Sequence, residues 1–321
     1  MNDTLLTVRV ARKAAEALDI CSLELVRADG GPLPAFAAGS HIDLHLPGGL
    51  VRQYSLCNEP GETHRYLVAV LRDAAGRGGS RAVHDAMHEG DTLAISAPRN
   101  HFALARDASH HLLLAGGIGI TPVLCMAERL AVAGEPFALH YCTRSRERTA
   151  FADRIAASSF APAVALHHDD GPDAQKFDLA ATLGGAPAGS HLYVCGPKGF
   201  MDAVLGAARA RGWPEDRLHY EFFGATVEAS ADDAGFQVKL ASSGRLVDVP
   251  VGRTVVQALA ACGVEVLTSC EQGVCGTCLT RVLEGQPDHK DSYLTPEEQA
   301  AGDQFLPCCS RSRSPVLVLD L

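Results

Sequence analysis

The 321-residue sequence predicts a soluble multidomain protein with an antiparallel β-barrel, a doubly wound α/β domain and a small C-terminal α+β domain. Three observations predict this order. Short strand-like segments broken by turns fill residues 1–105, and strand and helix segments alternate over 106–223. After a linker-like stretch at 224–235, a close-set group of cysteines lies within residues 236–321.

The first domain is predicted from its turns. "LLTVRVARK", "CSLELVRA", "HIDLHLP", "RQYSL" and "RYLVAVLRD" alternate or are rich in β-forming residues, and "DGGP", "PGG" and "EPGE" separate them. Regular turns with little helical period favour a small antiparallel barrel or sandwich, and we take the barrel. The one helix predicted here is "RAVHDAMHEGD", which Gly90 closes.

The second domain begins where the pattern changes, near residue 109. "HHLLLAG" is a continuous apolar run, as in a parallel strand buried on both faces. A glycine-rich turn and the helix "PVLCMAERLAVAG" follow it. Strands "FALHYC", "AVALHHD" and "HLYVCG" then alternate with helices "RTAFADRIAAS", "DLAATLG" and "GFMDAVLGAARARG". Such alternation predicts a doubly wound α/β fold.

The C-terminal part is short, and turn residues divide it into a hairpin and a helix. Residues 224–235, "GATVEASADDAG", are small and acidic and read as a linker. "FQVKLASSGRLVDVPVG" predicts a hairpin around Ser243 and Gly244, and "TVVQALAACG" predicts a helix that ends at Gly263.

Charge and hydropathy exclude several classes of function. The net charge of −10 is spread as −2, −5 and −3 over residues 1–105, 106–235 and 236–321. No segment therefore offers the basic surface that nucleic-acid binding requires. No apolar run reaches the ~20 residues that span a bilayer. The N-terminal residues also lack the layout of a secretory signal. We therefore expect a cytoplasmic protein with no membrane partner, whose thiols stay reduced.

Reduced thiols make the cysteine group a candidate metal centre rather than a set of disulfides. Cys270, Cys275 and Cys278 have the spacing C-x4-C-x2-C, and Cys308 follows after 29 residues. This is the spacing of a plant-type [2Fe–2S] cluster, whereas zinc ribbons more typically pair two C-x2-C turns. Cys309 is an alternative fourth ligand, although the spacing favours Cys308.

The glycines in the same loop agree with a cluster. A loop that wraps around iron and sulfide needs positive φ angles and bare backbone N–H groups close to the sulfides. Gly273 and Gly276 supply both.

Two glycine-rich stretches point to nucleotide cofactors. "GRGGSR", Gly76 to Arg81, precedes a helix about twenty residues after "RQYS", Arg52 to Ser55, and exposes backbone donors to a phosphate. "GGIGITP", Gly116 to Pro122, lies between a buried strand and a helix, as a loop over a pyrophosphate does. "VCGP", Val194 to Pro197, ends another strand at the same sheet edge.

Together these motifs resemble the ferredoxin–NADP reductase superfamily. Their order resembles more narrowly the phthalate dioxygenase reductase family, which includes vanillate demethylase reductases, and the likeness extends over essentially the whole chain. It implies FMN in the barrel, a nicotinamide cofactor on the α/β domain and a β-grasp ferredoxin domain at the C-terminus.

For the flavin, the resemblance implies contacts of Tyr54 and Ser55 with the ring. The residues themselves indicate that Arg52 or Arg81 can supply charge to the phosphate. The resemblance implies further FMN contacts from Val70, Arg72, Gly78, Gly79, Ser80, Arg81 and Thr121. An aromatic residue of "HYEFFG" is expected to lie against the flavin; of Phe222 and Phe223 we favour Phe223.

For the nicotinamide, the resemblance places Cys195 beside the reacting carbon as an orienting residue, and we name Ser55 and Cys195 as catalytic. Gly116, Gly117, Gly119, Gly196 and Pro197 complete the predicted dinucleotide site. "TRSRER", with Arg144 and Ser145, could accept NADPH, but the resemblance implies NADH.

The implied activity is electron transfer from NADH through FMN to the [2Fe–2S] cluster and then to a Rieske-type terminal oxygenase. Alternative acceptors are a P450 and an amine-demethylating oxygenase. A further alternative is a non-enzymatic redox sensor. The charge of −3 on residues 236–321 predicts docking on a basic patch and salt-sensitive turnover.

Overall fold

The computed structural model describes residues 5–74, 76, 78–223, 234–268, 273–274, 276–291 and 293–321. The chain divides into two compact units, Met1–Glu221 and Phe222–Leu321. The predicted boundary between residues 105 and 106 falls inside the first unit and stays a prediction. Most of the predicted linker, 224–233, lies outside the described residues.

An antiparallel sheet forms the first part of unit one. Its strands, in chain order, are β1 (Leu6–Ala17), β2 (Ile20–Arg27), β3 (Ser40–Leu46), β4 (Leu50–Ser55), β5 (Tyr66–Leu71), β6 (Thr92–Ile95) and β7 (Arg99–Asn100). They are arranged β4-β3-β6-β1-β2-β5, with β7 paired to β3. A bridge between Leu56 and Val68 joins the two ends of this order, which closes the sheet into the predicted barrel.

Alternating residues of the strands fill the barrel. Val8, Leu23, Ile42, Val68 and Ile95 come from five different strands and are fully buried. Helix α1 (Gly79–Ala86) begins two residues before the predicted start and ends before Met87. Lys13 of β1 fixes this end, since its Nζ donates to the carbonyl oxygens of Val83, His84 and Met87 at 2.7–2.9 Å.

The second part of unit one is a parallel five-stranded sheet, β10-β9-β8-β11-β12. Strands and helices alternate, as predicted, in the order β8 (His110–Gly116), α2 (Ile120–Ala133), β9 (Phe137–Thr143), α3 (Ala152–Ala156), β10 (Val164–His168), α4 (Leu179–Gly185), β11 (Ser190–Cys195), α5 (Lys198–Ala210) and β12 (Leu218–Glu221). Helix α3 is shorter than the predicted helix because Phe151, directly before it, has φ +60°.

Unit two is a mixed sheet, β14-β13-β19-β15-β17, with a separate pair of β16 and β18. Its elements are β13 (Phe236–Leu240), β14 (Leu246–Val249), α6 (Val255–Ala261), β15 (Thr280–Glu284), β16 (Pro287–Asp288), α7 (Pro296–Ala301), β17 (Gln304–Phe305), β18 (Arg311–Ser312) and β19 (Val316–Leu319). The predicted hairpin is present, with Gly244 at φ +70°. Thr254 begins α6 with a capping box, and Val238, Leu259 and Leu317 lie in the core.

The described ranges contain no helix long and apolar enough to cross a membrane.

Candidate functional site

Strand β4 carries the predicted flavin-contacting side chains. Ser55 is buried and lies opposite His41 of β3 in the ladder. Tyr54 packs against the barrel core, and burial raises the pKa of its phenol. A neutral phenol at this position agrees with the predicted contact with a flat flavin ring.

The predicted phosphate loop has the geometry of an anion site. Gly78 precedes α1 with φ +87°, which a residue with a side chain adopts with difficulty. A Cβ at Gly79 would lie 2.5 Å from the Arg52 Cγ, so the arginine side chain lies directly along the bare backbone. A guanidinium beside a helix N-terminus suits a phosphate dianion. The arrangement fits the phosphate of a flavin mononucleotide.

Four other predicted flavin contacts differ in their surroundings, and the side chains of two of them have partners within the protein. The Asp73 N–H donates to the Ser80 hydroxyl at 3.1 Å, and Arg72 makes a two-bond ion pair with Asp85 on α1. The Val70 side chain is buried in the barrel core, and Arg81 is exposed. Their contacts with a flavin stay predictions.

The dinucleotide loop follows β8 directly. Residues Gly117–Gly119 form a single helical turn, and Gly117 has φ +52°. A Cβ at Gly119 would lie 2.2 Å from the Cys195 carbonyl oxygen at the end of β11. The two predicted motifs thus meet at the carboxyl edge of the sheet, where α/β folds bind ligands.

Cys195 is fully buried at this edge, and burial raises the pKa of its thiol well above the ordinary value. A protonated, buried thiol is a poor nucleophile, which agrees with the predicted orienting role. Gly196 and Pro197 follow it. A Cβ added to Gly116 or to Gly196 would lie 2.9 Å from the Phe200 ring in both cases.

The other predicted nucleotide contacts lie near the ends of β8 and β9. Thr121 is buried in the first turn of α2, where its hydroxyl donates to the Ile118 carbonyl at 3.1 Å. After β9, the hydroxyls of Thr143 and Thr149 both donate to the Ser145 carbonyl. Arg144 is exposed beside this turn.

Sequence reasoning missed Glu221, which ends β12 beside Cys195 of β11. Its Oε2 lies 3.4 Å from the Ser55 hydroxyl oxygen, so the carboxyl connects the α/β sheet to the flavin strand. Burial raises the pKa of Glu221 to about 8, so it is mainly protonated at neutral pH. The available signal was an acidic residue at the carboxyl end of a parallel strand. Of the stretch "HYEFFG", however, only the phenylalanines were predicted to contact a cofactor.

In unit two, Cys278 and Cys308 lie in one buried cluster with Cys309, whereas Cys270 and Cys275 are outside the described residues. Gly273 and Gly276 have φ +73° and +70°, which confirms the predicted positive angles. A Cβ at Gly276 would lie 2.3 Å from the Tyr293 ring. Buried thiols beside bare, left-handed backbone fit an iron–sulfur cluster.

Cys309 and Phe223 are two further candidates for contacts with the cofactors. The Cys309 thiol lies 3.6 Å from the Leu306 carbonyl, and its pKa is raised by the neighbouring Cys308 thiol and by burial. Phe223, the predicted flavin-stacking residue, is 39% exposed within unit two, and its role stays a prediction.

Known proteins match this chain along its length. The family described as 2Fe-2S iron-sulfur cluster binding domain matches residues 238–313. The family of the dimethylamine monooxygenase subunit DmmA-like N-terminal domain matches residues 95–218. The vanillate O-demethylase oxidoreductase of Pseudomonas sp. (strain HR199 / DSM 7063) is 54% identical over 305 residues, covering 95% of this chain and 96% of that protein.

Two solved structures extend the likeness to three dimensions. Phthalate dioxygenase reductase, described as a modular structure for electron transfer from pyridine nucleotides to [2Fe-2S], is 41% identical with a TM-score of 0.80, covering 99% of this chain and 98% of that one. An intact type IV self-sufficient cytochrome P450 monooxygenase is 40% identical with a TM-score of 0.83, covering 99% of this chain and 41% of that one.

Proposed function

Since this chain belongs to the phthalate dioxygenase reductase family, we propose that it is the reductase of a Rieske-type oxygenase system. It takes electrons from NADH and passes them through FMN and a [2Fe–2S] cluster to the oxygenase, which acts on an aromatic acid. The observation that carries the proposal is the meeting of Ser55, Glu221 and Cys195 where the flavin barrel adjoins the nucleotide sheet.

When bound, FMN would supply the chemistry that takes up hydride, two electrons with one proton, from the nicotinamide and delivers electrons one at a time to the cluster. The chain's own residues hold and orient the two nucleotides. Arg52 and the backbone of Gly78 and Gly79 hold the flavin phosphate, with Ser80 and Arg81 completing the loop. Tyr54 and Ser55 support the ring, and Ser55 and Cys195 are the catalytic residues that fix the hydride path.

The carboxyl edge of the α/β sheet would hold the nicotinamide nucleotide. Gly116–Gly119 turn close enough for its pyrophosphate to approach the backbone at the start of α2. Cys195, Gly196 and Pro197 orient the nicotinamide end, and Arg144 and Ser145 contact the adenosine end. NADH is the preferred donor.

Cys270, Cys275, Cys278 and Cys308 hold the cluster. Support for Cys308 over Cys309 comes from the Cys309 thiol, which already contacts the Leu306 carbonyl and the Ser310 hydroxyl. We expect Cys308→Ser to lose the visible absorption and electron paramagnetic resonance signal of the cluster, and the matched Cys309→Ser variant to keep both. The reverse pattern would assign the ligand to Cys309.

Residues 236–321 carry seven Lys and Arg against ten Asp and Glu, a net charge of −3. A negative docking surface suits a basic patch on the oxygenase, and ionic strength screens such pairs. We expect turnover with the oxygenase to fall several-fold between about 0.05 and 0.5 M salt, since the Debye length drops well below 10 Å. Turnover that stays constant across this range would contradict the docking proposal.

The direct test is reconstitution. With NADH, the FMN-loaded protein should reduce cytochrome c steadily, which a redox sensor would not do. A Rieske-type O-demethylase oxygenase should then form product only when this chain is present.

The likeness to the P450 monooxygenase makes a P450 the second candidate acceptor. It becomes the better one if a P450 partner turns over and the Rieske oxygenases do not. Parallel assays with NADPH measure the donor preference.

A further inference from the structure

His41 is a buried histidine with unusual surroundings. It is 4% exposed, and among the described residues neither of its ring nitrogens has a hydrogen-bond partner. An unpaired buried polar group is costly, so its retention calls for a reason. The Oε1 of Glu221 lies 3.9 Å from the His41 Nδ1.

His41 and Ser55 lie opposite each other on β3 and β4, and Glu221 reaches both. One of its carboxyl oxygens lies near the Ser55 hydroxyl and the other faces the histidine. The three side chains therefore lie in series, Ser55–Glu221–His41, from the flavin strand into the barrel wall, and the Glu221–His41 step is open at 3.9 Å.

On its far side, His41 approaches the protein surface. Its ring centroid lies 5.5 Å from that of His101, which is exposed. Arg99 and Asp43, which pair with each other, are the charged groups nearby. The two rings pack against each other, so His101 places a second, exposed imidazole beside His41.

Glu221 holds a proton at neutral pH and His41 does not hold a second one, so transfer through His41 has to be concerted. Burial lowers the pKa of His41 to about 4, with Arg99 and His101 lowering it further and Asp43 opposing them. The imidazole is therefore neutral, with one donor and one acceptor nitrogen, and can accept a proton on one side while releasing one on the other. Glu221, with Ser55 and Cys195 as its other polar neighbours, holds a proton at neutral pH.

The proposed function requires such a path. A hydride from NADH is one proton and two electrons, and both electrons leave singly for the cluster. One proton must therefore leave the flavin site for every NADH oxidised. Glu221, which lies beside Ser55 of the flavin strand, is placed to carry it.

We propose that His41 is a proton-relay residue, which takes the proton from Glu221 on Nδ1 and passes a proton by way of His101 to solvent. The inference rests on the proposed function. The 3.9 Å separation needs only a small side-chain rotation to become a hydrogen bond, as is common before ligands bind.

The first test uses the FMN-free protein and needs no turnover. Nitrogen-15 NMR of the His41 ring should show a neutral imidazole whose shifts change near pH 8, as Glu221 ionises, and the Glu221→Gln variant should abolish that change. The proposal is overturned if the ring shifts of wild type do not change near pH 8 and are the same in Glu221→Gln.

The second test follows one turnover by stopped flow in H₂O and D₂O. In His41→Phe, flavin bleaching by NADH should keep its rate, while full reduction of the cluster should slow at least tenfold with a larger solvent isotope effect. Added imidazole should restore the rate. His41→Asn, which keeps a polar side chain but cannot relay, should behave like His41→Phe, and His101→Gln should slow the same phase two- to threefold.

The outcomes separate the two proposals. If wild-type flavin is not bleached by NADH, the proposed function fails. If wild type reduces flavin and cluster normally and His41→Phe does the same with an unchanged isotope effect, the relay fails alone. Recovery by His41→Asn would show that His41 only supports the structure, and would also overturn the relay.

Discussion

The two glycine loops of unit one begin helices in different ways. A Cβ on Gly119, in the dinucleotide loop, would lie 2.2 Å from the carbonyl oxygen of Cys195 and 2.7 Å from the Gly196 nitrogen. In the phosphate loop, the three atoms nearest to a Cβ on Gly79 would all belong to the Arg52 side chain, and a Cβ on Gly78 would lie 3.9 Å from a Leu50 methyl. Backbone constrains the first loop, and a movable side chain borders the second.

The difference follows from the strands beneath the loops. β8 and β11 are parallel neighbours that end together, with Ala115 beside Cys195, so their following loops are forced into contact. At the start of α1, the neighbouring strand β4 presents the Arg52 side chain rather than backbone. Lys13 holds the helix at its far end. The dinucleotide loop is therefore fixed by contact at the loop itself, and the phosphate loop by an anchor one helix away.

The largest expected effect comes from Gly119→Ala. The added methyl group would collide with backbone that cannot rotate away, so we expect a loss of at least about 3 kcal/mol in the free energy of unfolding. NADH binding should also be lost. Urea unfolding followed by fluorescence of Trp213, the single tryptophan, reports on this part of the chain.

Gly117→Ala is the matched control in the same loop. Gly117 has φ +52° and open space around its Cβ position, so we expect a loss of only about 1 kcal/mol. Equal losses in the two variants would show that backbone strain, rather than contact with Cys195, decides the shape of this loop.

Next in size is a pH effect on the α/β sheet, which carries two stacked histidine pairs, His140–His167 and His191–His219. Burial, then the neighbouring histidine, lowers the pKa of His140 and of His219 to about 4 from 6.5. The unfolded chain therefore binds more protons between pH 6.5 and 4, and stability is lost as the pH falls through this window.

The expected loss from these two groups is about 2 to 3 kcal/mol between pH 7 and 5, allowing for their partial exposure. Trp213-monitored unfolding at several pH values measures it. The double variant His140→Gln/His219→Gln should lose less stability over the same interval. If its pH profile runs parallel to that of wild type, other groups control the acid sensitivity.

The third prediction concerns the anchor of the phosphate loop. Lys13→Met removes three charge-assisted hydrogen bonds at the end of α1, and we expect a loss of about 2 kcal/mol together with weaker FMN binding. Arg12→Met, an exposed neighbour on the same strand, should change stability by less than about 0.5 kcal/mol. If FMN affinity is unchanged in Lys13→Met, the anchor at the end of α1 does not affect the phosphate site.

How far the sequence predicts these features depends on whether they are local. The order of barrel, α/β sheet and ferredoxin-like part was predictable because turns, periodicity and motifs are properties of short segments of the sequence. The positive φ angles of Gly273 and Gly276 were predictable for the same reason. The anchor Lys13 and the path of His41 and Glu221 were not, because each depends on strands that are distant in the chain and meet only in the fold.

The smallest expected effect distinguishes strain from binding at the phosphate loop. Gly78→Ala introduces a side chain at φ +87° without a clash, so we expect a loss of about 1 kcal/mol and a several-fold lower affinity for FMN. Gly90→Ala has a similar angle, φ +95°, and open space, but it lies beyond the other end of α1. It should lose similar stability and keep its FMN affinity, as flavin fluorescence titration would show. Equal affinities in the two variants would mean that the phosphate does not contact the backbone at Gly78, and Arg52 would then be the main phosphate ligand.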